Sequence, residues 1–130
     1  MNVVDAARAY LGCPFEHQGR TRHGLDCAGL ILLAYRDAGV LFEDIKGYGR
    51  NPHKDGLQQA VERQLHAVDD MQPGDVLLMR FIRQPQHVAL VTDLPDGRIG
   101  VIHAHSQVGR VVEHALDAKW RRRIVGVYRP

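Results

Sequence analysis

The chain has 130 residues, of which 45% are hydrophobic and 25% charged, and its formal net charge is +2. This size and composition predict one globular domain, covering residues 1–130, with a core of its own. The charge is too small to indicate a nucleic-acid partner, and no stretch has the length of a transmembrane helix. The start of the chain lacks the pattern of a signal peptide, so we expect synthesis in the cytoplasm without one.

Two further features bear on partners and compartment. The run Arg121–Arg123 beside Trp120 can bind an anionic polymer, but a solvated helix end is the interpretation we favour. Cys13 and Cys27 are too few for a disulfide framework. We expect both to be free thiols, as in a reducing cytoplasm.

The first half of the chain has helical spacing interrupted by polar loops. The predicted helices cover residues 2–11, 26–38 and 56–66, and the predicted loops cover residues 12–25 and 43–54. Asn2 and Asp26 can cap the first two helices, which Gly12 and Gly39 can end. The loop over residues 43–54 is either a lid or a connection, and we favour a connection.

The second half of the chain predicts strands. They cover residues 76–82, 87–93, 99–105, 109–114 and 124–129. A turn at residues 71–75 precedes them, and turn signals at Gln84-Pro85 and at residues 94–97 separate the first three. Helices followed by strands predict an α+β fold, with N-terminal helices packed on an antiparallel β-sheet of about five to six strands.

Asp26-Cys27-Ala28-Gly29 places a cysteine in the first turn of the second helix. The helix dipole and the unpaired amides of that turn favour thiolate over thiol. A thiolate is the nucleophile of acyl transfer when a histidine stands beside it. The chain offers such histidines about sixty and eighty residues downstream, in residues 87–90 and 102–105.

Strand geometry decides whether these histidines can act together. A hairpin centred on residue 95 or 96 puts His87 on one sheet face with His103 or His105, opposite or diagonal to it. That face then carries Ala89, Val91 and Val101, and the other face carries Val88, Leu90 and Ile102. A loop centred between residues 95 and 96 would separate the histidines, so the prediction requires an odd number of loop residues.

A metal site is the alternative use of the same side chains. His103 and His105 point to one side of their strand, and His87 is a third candidate ligand. No Cys-x-x-Cys or His-Glu-x-x-His pattern accompanies them, so we expect no metal and no cofactor. We interpret His105 as a neighbour without a catalytic task. No spacing singles out the remaining histidines, which are His17, His23, His53, His66 and His114. Two of these, His17 and His23, flank Cys27 in sequence and could line a cleft.

Five short motifs follow one another along the chain. They are Leu11-Gly12-Cys13-Pro14-Phe15, Leu25-Asp26-Cys27-Ala28-Gly29-Leu30, Pro73-Gly74-Asp75-Val76, His87-Val88-Ala89-Leu90 and Ile102-His103-Ala104. Their order and spacing resemble the NlpC/P60 family of papain-like cysteine peptidases, which cut the peptide stems of bacterial cell walls. The resemblance covers about residues 5–128. It implies the papain-like NlpC/P60 fold, cysteine endopeptidase or amidase activity and a peptidoglycan peptide as substrate.

The resemblance also implies a role for each site residue. Cys27 is similar to the family nucleophile, His87 to the general base and His103 to the polar group that orients His87. The amide of Cys27 is a candidate oxyanion donor. Asp26 is interpreted as the helix cap rather than as an acid or base.

The chain departs from the family pattern around the expected substrate-binding and oxyanion region. Similar members have Pro-Tyr and Trp-Gly-Gly where this chain has residues 14–19, so Phe15 lacks the expected hydroxyl. His17 or Gln18 can replace it, or the contact is absent. Ala28 stands where many members have serine, which leaves the substrate open.

The closing segment, residues 124–130, resembles the end of phage tail modules. We expect a phage or prophage tail protein, with other tail proteins as partners, that acts at the cell wall. A secretion-system amidase effector is the second interpretation. Two other functions stay open: a non-catalytic assembly module on the same fold, and an acyltransferase or thioesterase with the same cysteine and histidine.

Overall fold

The computed structural model describes residues 2–45, 56–81 and 85–130. The helices are α1 (Val3–Arg8), α2 (Cys27–Asp37), α3 (Gly56–Gln64) and α4 (Ala118–Arg121). The strands are β1 (Arg20–Thr21), β2 (Gly24–Leu25), β3 (His66–Ala67), β4 (Val76–Arg80), β5 (Pro85–Asp93), β6 (Ile99–His105), β7 (Arg110–Ala115) and β8 (Ile124–Arg129). The fold is α+β, as predicted.

Six strands form one antiparallel sheet in the order β3-β8-β4-β5-β6-β7, and β1 and β2 form a separate hairpin. The β5–β6 register pairs Leu90 with Ile102 and Val91 with Val101. Partners in this register are equidistant from residue 96, so the loop has an odd residue count and the predicted alternation of faces is confirmed.

The two faces of the sheet bury different side chains. On one face Val88, Leu90 and Ile102 pack against the apolar stripes of the first three helices. On the other face Ala89, Val91 and Val101 form a smaller core, together with Leu116 and Trp120. His87 and His103 belong to this second face, because they alternate with the residues that face the helices.

Two glycines and one carboxylate define α2. Asp26 is its N-cap and accepts a hydrogen bond from the amide of Gly29 at 2.9 Å. A Cβ on Gly29 would stand 2.4 Å from the carbonyl oxygen of Gly19, so only glycine lets the preceding loop approach the helix this closely. Gly39 follows the helix with φ +81, the left-handed conformation that commonly ends helices.

Several predicted boundaries are wrong. The first helix ends at Arg8 instead of Leu11, and turns then lead to Gly12, whose φ is +83. The third helix ends at Gln64, because His66 pairs with Arg129 in the sheet. The first predicted strand ends at Arg80, after a register shift between Met79 and Arg80. Residue 82, and residues 46–54 of the predicted surface loop, lie outside the described residues.

The predicted loop over residues 12–25 contains regular structure. Arg20 pairs with Leu25 in the β1–β2 hairpin. Upstream of it, the backbone runs beside β7: Gly12 donates to the carbonyl of Val111, Val111 donates to Cys13, and Phe15 donates to Gly109, at 2.9–3.0 Å. These bonds place the loop between the sheet and the start of α2.

The turn before β4 is held by two buried polar contacts. The hydroxyl of Tyr35 in α2 donates to the carbonyl of Gly74 at 2.9 Å. Asp75, which is 2% exposed, accepts two hydrogen bonds from the guanidinium of Arg129, at 2.7 and 2.8 Å. The Pro73-Gly74-Asp75 motif therefore fixes α2, β4 and β8 relative to one another. No described helix is long and apolar enough to span a membrane.

Candidate active site

The nucleophile candidate, Cys27, is the first residue of α2 and is half-buried as a free thiol. Its sulfur lies beside the backbone amides of Val88 and Ala28, which favour the thiolate. Burial acts in the opposite direction and is the stronger effect, with the charge of Asp26 adding to it. Together they raise the pKa of Cys27 to about 12. The amides at the helix start favour the thiolate as expected, but burial outweighs them in the free protein, so the thiol is the favoured form.

The sulfur can contact the Val88 amide because β5 and β6 are not paired at this end of the sheet. The ladder between them runs from Leu90–Ile102 to Asp93–Ile99, so the three residues before Leu90 have no partner on β6 in the described register. In the described part of the chain no hydrogen bond joins Cys27 to His87. The sulfur instead lies beside the backbone amide of Val88, the residue that follows His87.

In the described part of the chain, the Asp26 carboxylate accepts hydrogen bonds from three groups that hold the start of α2. Its carboxylate accepts from the amides of Gly29 and Gln18, at 2.9 and 2.8 Å, and from Nη1 of Arg20 at 2.8 Å. Arg20 also donates to Asp44 and to the carbonyl of Ile45. These contacts support the interpretation of Asp26 as the helix cap, and they place the positive Arg20 close to the start of α2.

His87 and His103 meet on the second face of the sheet. Nε2 of His87 and Nδ1 of His103 are 2.7 Å apart, with one proton shared between the two rings. His87 is 5% exposed and His103 is fully buried. Burial, reinforced by neighbouring cationic and imidazole groups, lowers the pKa of both far below the ordinary 6.5, so both rings are neutral at pH 7.

A third histidine continues the chain of bonds. Nε2 of His103 and Nε2 of His114 are 2.9 Å apart, and Nδ1 of His114 donates to the carbonyl of Ala115 at 2.9 Å. The sequence argument missed His114. The signal that would have found it is the β6–β7 register, which pairs His103 with Val112 and so puts His114 diagonally beside His103 on the same face.

Aromatic side chains enclose these imidazoles. The Trp120 ring stands edge-on to His103 at 4.9 Å between centroids, and Phe81 packs 5.3 Å from His87. The guanidinium of Arg123 lies over both aromatic rings, 4.4 Å from Trp120 and 4.9 Å from Phe81. Arg121 and Arg122 beside it are exposed, as expected of a solvated helix end, whereas the prediction is wrong for the half-buried Arg123. The enclosure keeps water from the His103 ring.

The geometry does not fit the metal alternative. Two imidazole nitrogens bound to one tetrahedral zinc stand about 3.3 Å apart, whereas those of His87 and His103 are 2.7 Å apart and share a proton. His105 uses Nδ1 to accept from the amide of Gln107. Among the described residues, no group of three or more His, Cys, Asp or Glu side chains is placed to hold a metal ion.

The other predicted site residues lie on the loop before α2. Phe15 is half-buried against the main core and forms a parallel bridge with Leu25. Gln18 has φ 60 and contributes its backbone amide to Asp26. His17 is half-buried on the same loop. The loop is thus attached to the helix start through main-chain groups, and the proposed contact of His17 or Gln18 with the nucleophile stays a prediction.

A model of the NlpC/P60 family matches residues 12–129. The chain belongs to the NlpC/P60 family. Among curated relatives, dipeptidyl-peptidase 6 of Lysinibacillus sphaericus is 32% identical over 117 residues, which are 89% of this chain and 36% of that protein. The chain therefore spans about a third of the length of this relative.

Solved NlpC/P60 structures have the same fold. An NlpC/P60 family protein from Bacillus cereus superposes with a TM-score of 0.73 and 22% identity, covering 98% of this chain and 39% of the other. The NlpC/P60 domain of the peptidoglycan hydrolase SagA gives 0.66 and 22% identity, covering 98% of this chain and 96% of that domain. The NlpC/P60 fold predicted from the motifs is confirmed.

Proposed function

We propose that this NlpC/P60 domain is a cysteine endopeptidase or amidase that hydrolyses amide bonds in peptidoglycan stem peptides. The observation that carries the proposal is the position of Cys27 at the start of α2, with its sulfur beside the amide that follows His87. Family membership and the likeness to a domain described as part of a peptidoglycan hydrolase support the substrate class.

His87 acts as the general base. Its Nε2 is occupied by His103, so Nδ1 is the nitrogen left for the thiol proton. The thiol gives its proton to Nδ1 as the sulfur attacks the amide carbonyl, and the imidazolium then protonates the departing amine. Water hydrolyses the thioester by the reverse sequence. The amide of Cys27 at the helix start stabilises the oxyanion.

The raised pKa of Cys27 and the lowered pKa of His87 describe the free site. A lone thiolate or a lone imidazolium would be a single buried charge, which the surrounding protein disfavours. Transfer of the proton creates both ions together, and opposite charges stabilise each other. We therefore assign a neutral thiol and a neutral imidazole to the resting enzyme, with proton transfer as the carbonyl enters.

The decisive experiment is mass spectrometry of purified muropeptides after digestion by the wild type, Cys27→Ala and Cys13→Ala. Cys13 is the matched control, because it is the other half-buried free thiol. We expect new amines from the wild type and Cys13→Ala, and at least a 10³-fold loss of turnover for Cys27→Ala. Equal turnover by Cys27→Ala would overturn the proposal, and the product masses identify the bond that is cut.

The absence of a direct Cys27–His87 hydrogen bond in the described site favours a non-catalytic assembly module as the second candidate. Such a module would bind peptidoglycan without releasing any product. We would therefore accept this second candidate if the wild type bound peptidoglycan but left every muropeptide intact. A thioesterase or acyltransferase would instead release or transfer an acyl group through Cys27. It is distinguished by products that carry a new acyl acceptor.

The biological setting is part of the proposal. The resemblance of residues 124–130 to the end of phage tail modules supports action at the cell wall as a component of a phage or prophage tail, with other tail proteins as partners. An exported amidase effector is the alternative. Proteomics of purified particles after prophage induction tests the setting: recovery with tail proteins supports it, and recovery only in a secreted fraction contradicts it.

A further inference from the structure

We propose that His114 is a positioning residue that fixes the proton arrangement of His87 through His103. The inference deepens the proposed function and rests on it for its catalytic meaning. Three imidazoles and one carbonyl form an unbroken series of hydrogen bonds: His87 to His103 at 2.7 Å, His103 to His114 at 2.9 Å, and His114 to the carbonyl of Ala115 at 2.9 Å.

The carbonyl decides the direction of the whole series, because a carbonyl oxygen only accepts. Nδ1 of His114 must therefore carry a proton, and in the neutral ring Nε2 of His114 is an acceptor. His103 then donates through its own Nε2, which leaves its Nδ1 as an acceptor. His87 donates to that nitrogen through Nε2. The base nitrogen, Nδ1 of His87, is left without a proton.

The reverse arrangement would disable the site. If His103 carried its proton on Nδ1, it would donate to Nε2 of His87, and the neutral His87 ring would then carry its proton on Nδ1. A nitrogen that already carries a proton takes none from a thiol. His103 alone does not choose between the two arrangements, since either of its nitrogens can donate. His114 determines which arrangement forms, because its Nδ1–H is bonded to the carbonyl of Ala115.

The surroundings hold the His114 ring in place for this task. It is half-buried on β7, and Trp120 packs 5.2 Å from it and 4.9 Å from His103, so one indole supports both rings. His105, on the neighbouring strand, is a contrasting case. Its Nδ1 accepts from a local amide, and no described hydrogen bond links its ring to the other three histidines.

The direct test is the ring tautomer of each histidine, measured by long-range ¹H–¹⁵N NMR on ¹⁵N-histidine-labelled protein near pH 7. We expect the Nε2–H form for His87 and His103 and the Nδ1–H form for His114. In His114→Leu the acceptor is lost, and we expect His87 to shift towards the Nδ1–H form. An Nδ1–H form of His87 in the wild type, or an unchanged His87 in His114→Leu, would overturn the inference.

Kinetics on muropeptides provide the second measurement. We expect His114→Leu to lower kcat about 10–100-fold with KM within about twofold, as for other residues that orient a functional ligand or base. In His114→Gln the amide oxygen can accept from His103, and we expect most of kcat to return. Equal losses in the two variants at equal melting temperatures would contradict the proposal. A wild type without muropeptide activity defeats the proposed function, while the tautomer measurement still decides this inference.

Discussion

At the residue scale, protein contacts rather than helix position set the proton state of Cys27. A helix start favours a thiolate, but burial and the Asp26 carboxylate oppose it and raise the pKa to about 12. The motifs predicted that His87 and His103 meet, which the structure shows, and the catalytic roles of these two residues and of Cys27 stay predictions. The motifs did not predict the raised pKa of Cys27, because this pKa depends on how much water the fold leaves around the sulfur.

His114 illustrates what the sequence could not supply. For His87 and His103 the turn at residues 94–97 left only a choice of hairpin centre, and the observed centre at residue 96 puts both on one face. The next hairpin has a less explicit turn over residues 106–109, so its register, and with it the position of His114 beside His103, had no anchor in the sequence.

Alkylation of Cys27 by iodoacetamide tests the proton state of the free site. In a Cys13→Ser background, which leaves one thiol, we expect the rate to keep rising through pH 10 without a plateau, because the thiolate is the reactive form. Urea-unfolded protein is the control and should approach its plateau near the ordinary cysteine pKa. A plateau reached by pH 7 in the folded protein would contradict the raised pKa.

Replacement of His103 tests its acceptor role on His87. His103→Leu leaves the buried Nε2–H of His87 unpaired, at a cost of about 1–3 kcal/mol in stability, and should lower kcat on muropeptides at least tenfold. His103→Asn retains an acceptor oxygen and should recover part of both losses. Denaturant unfolding and steady-state rates measure the two effects, and unchanged values in His103→Leu would rule out the role.

At the element scale, the start of α2 depends on a close approach between the helix and the preceding loop. That junction is formed by Asp26, Gly29 and Arg20. The identity of each residue follows from its contacts with the loop and not from its helix propensity. The sequence predicted the cap and the helix correctly. It did not predict the β1–β2 hairpin or its attachment to α2, since these rest on contacts between segments.

Gly29→Ala tests this junction. The added methyl group would stand 2.4 Å from the Gly19 carbonyl oxygen, so the loop must move, and we expect a loss of about 1–3 kcal/mol in unfolding free energy. Gly56→Ala at the start of α3 is the matched control, because a Cβ there has no neighbour within 4 Å among the residues that the structure describes. The control should be neutral or slightly stabilising. An equally stable Gly29→Ala variant would argue against the close packing.

At the scale of the whole molecule, buried titratable groups limit the pH range of stability. His87 and His103 have pKa values below their ordinary 6.5, so the unfolded chain binds protons that the fold excludes, and stability falls as the pH drops from 6.5 towards 3. Cys27 has a raised pKa, so stability falls as the pH rises above about 9. The plateau lies between these limits.

Urea unfolding at a series of pH values measures this profile. We expect each buried histidine to contribute up to about 1.4 kcal/mol per pH unit to the decline below pH 6.5. Cys27→Ala should remove the alkaline decline that comes from the thiol, and His103→Asn should make the acid decline less steep.

The bonds between residues 12–15 and β7 have a consequence for how copies of this molecule behave beside one another. An outermost strand with open amides and carbonyls invites a neighbour to extend the sheet, which is a route to aggregates. Here Gly12 and Cys13 bond to the carbonyl and amide of Val111 in β7, Phe15 bonds to Gly109 just before it, and the strand at the opposite edge is the two-residue β3. The segment that precedes α2 therefore covers part of one edge of the sheet, so a neighbouring molecule finds fewer open backbone groups there.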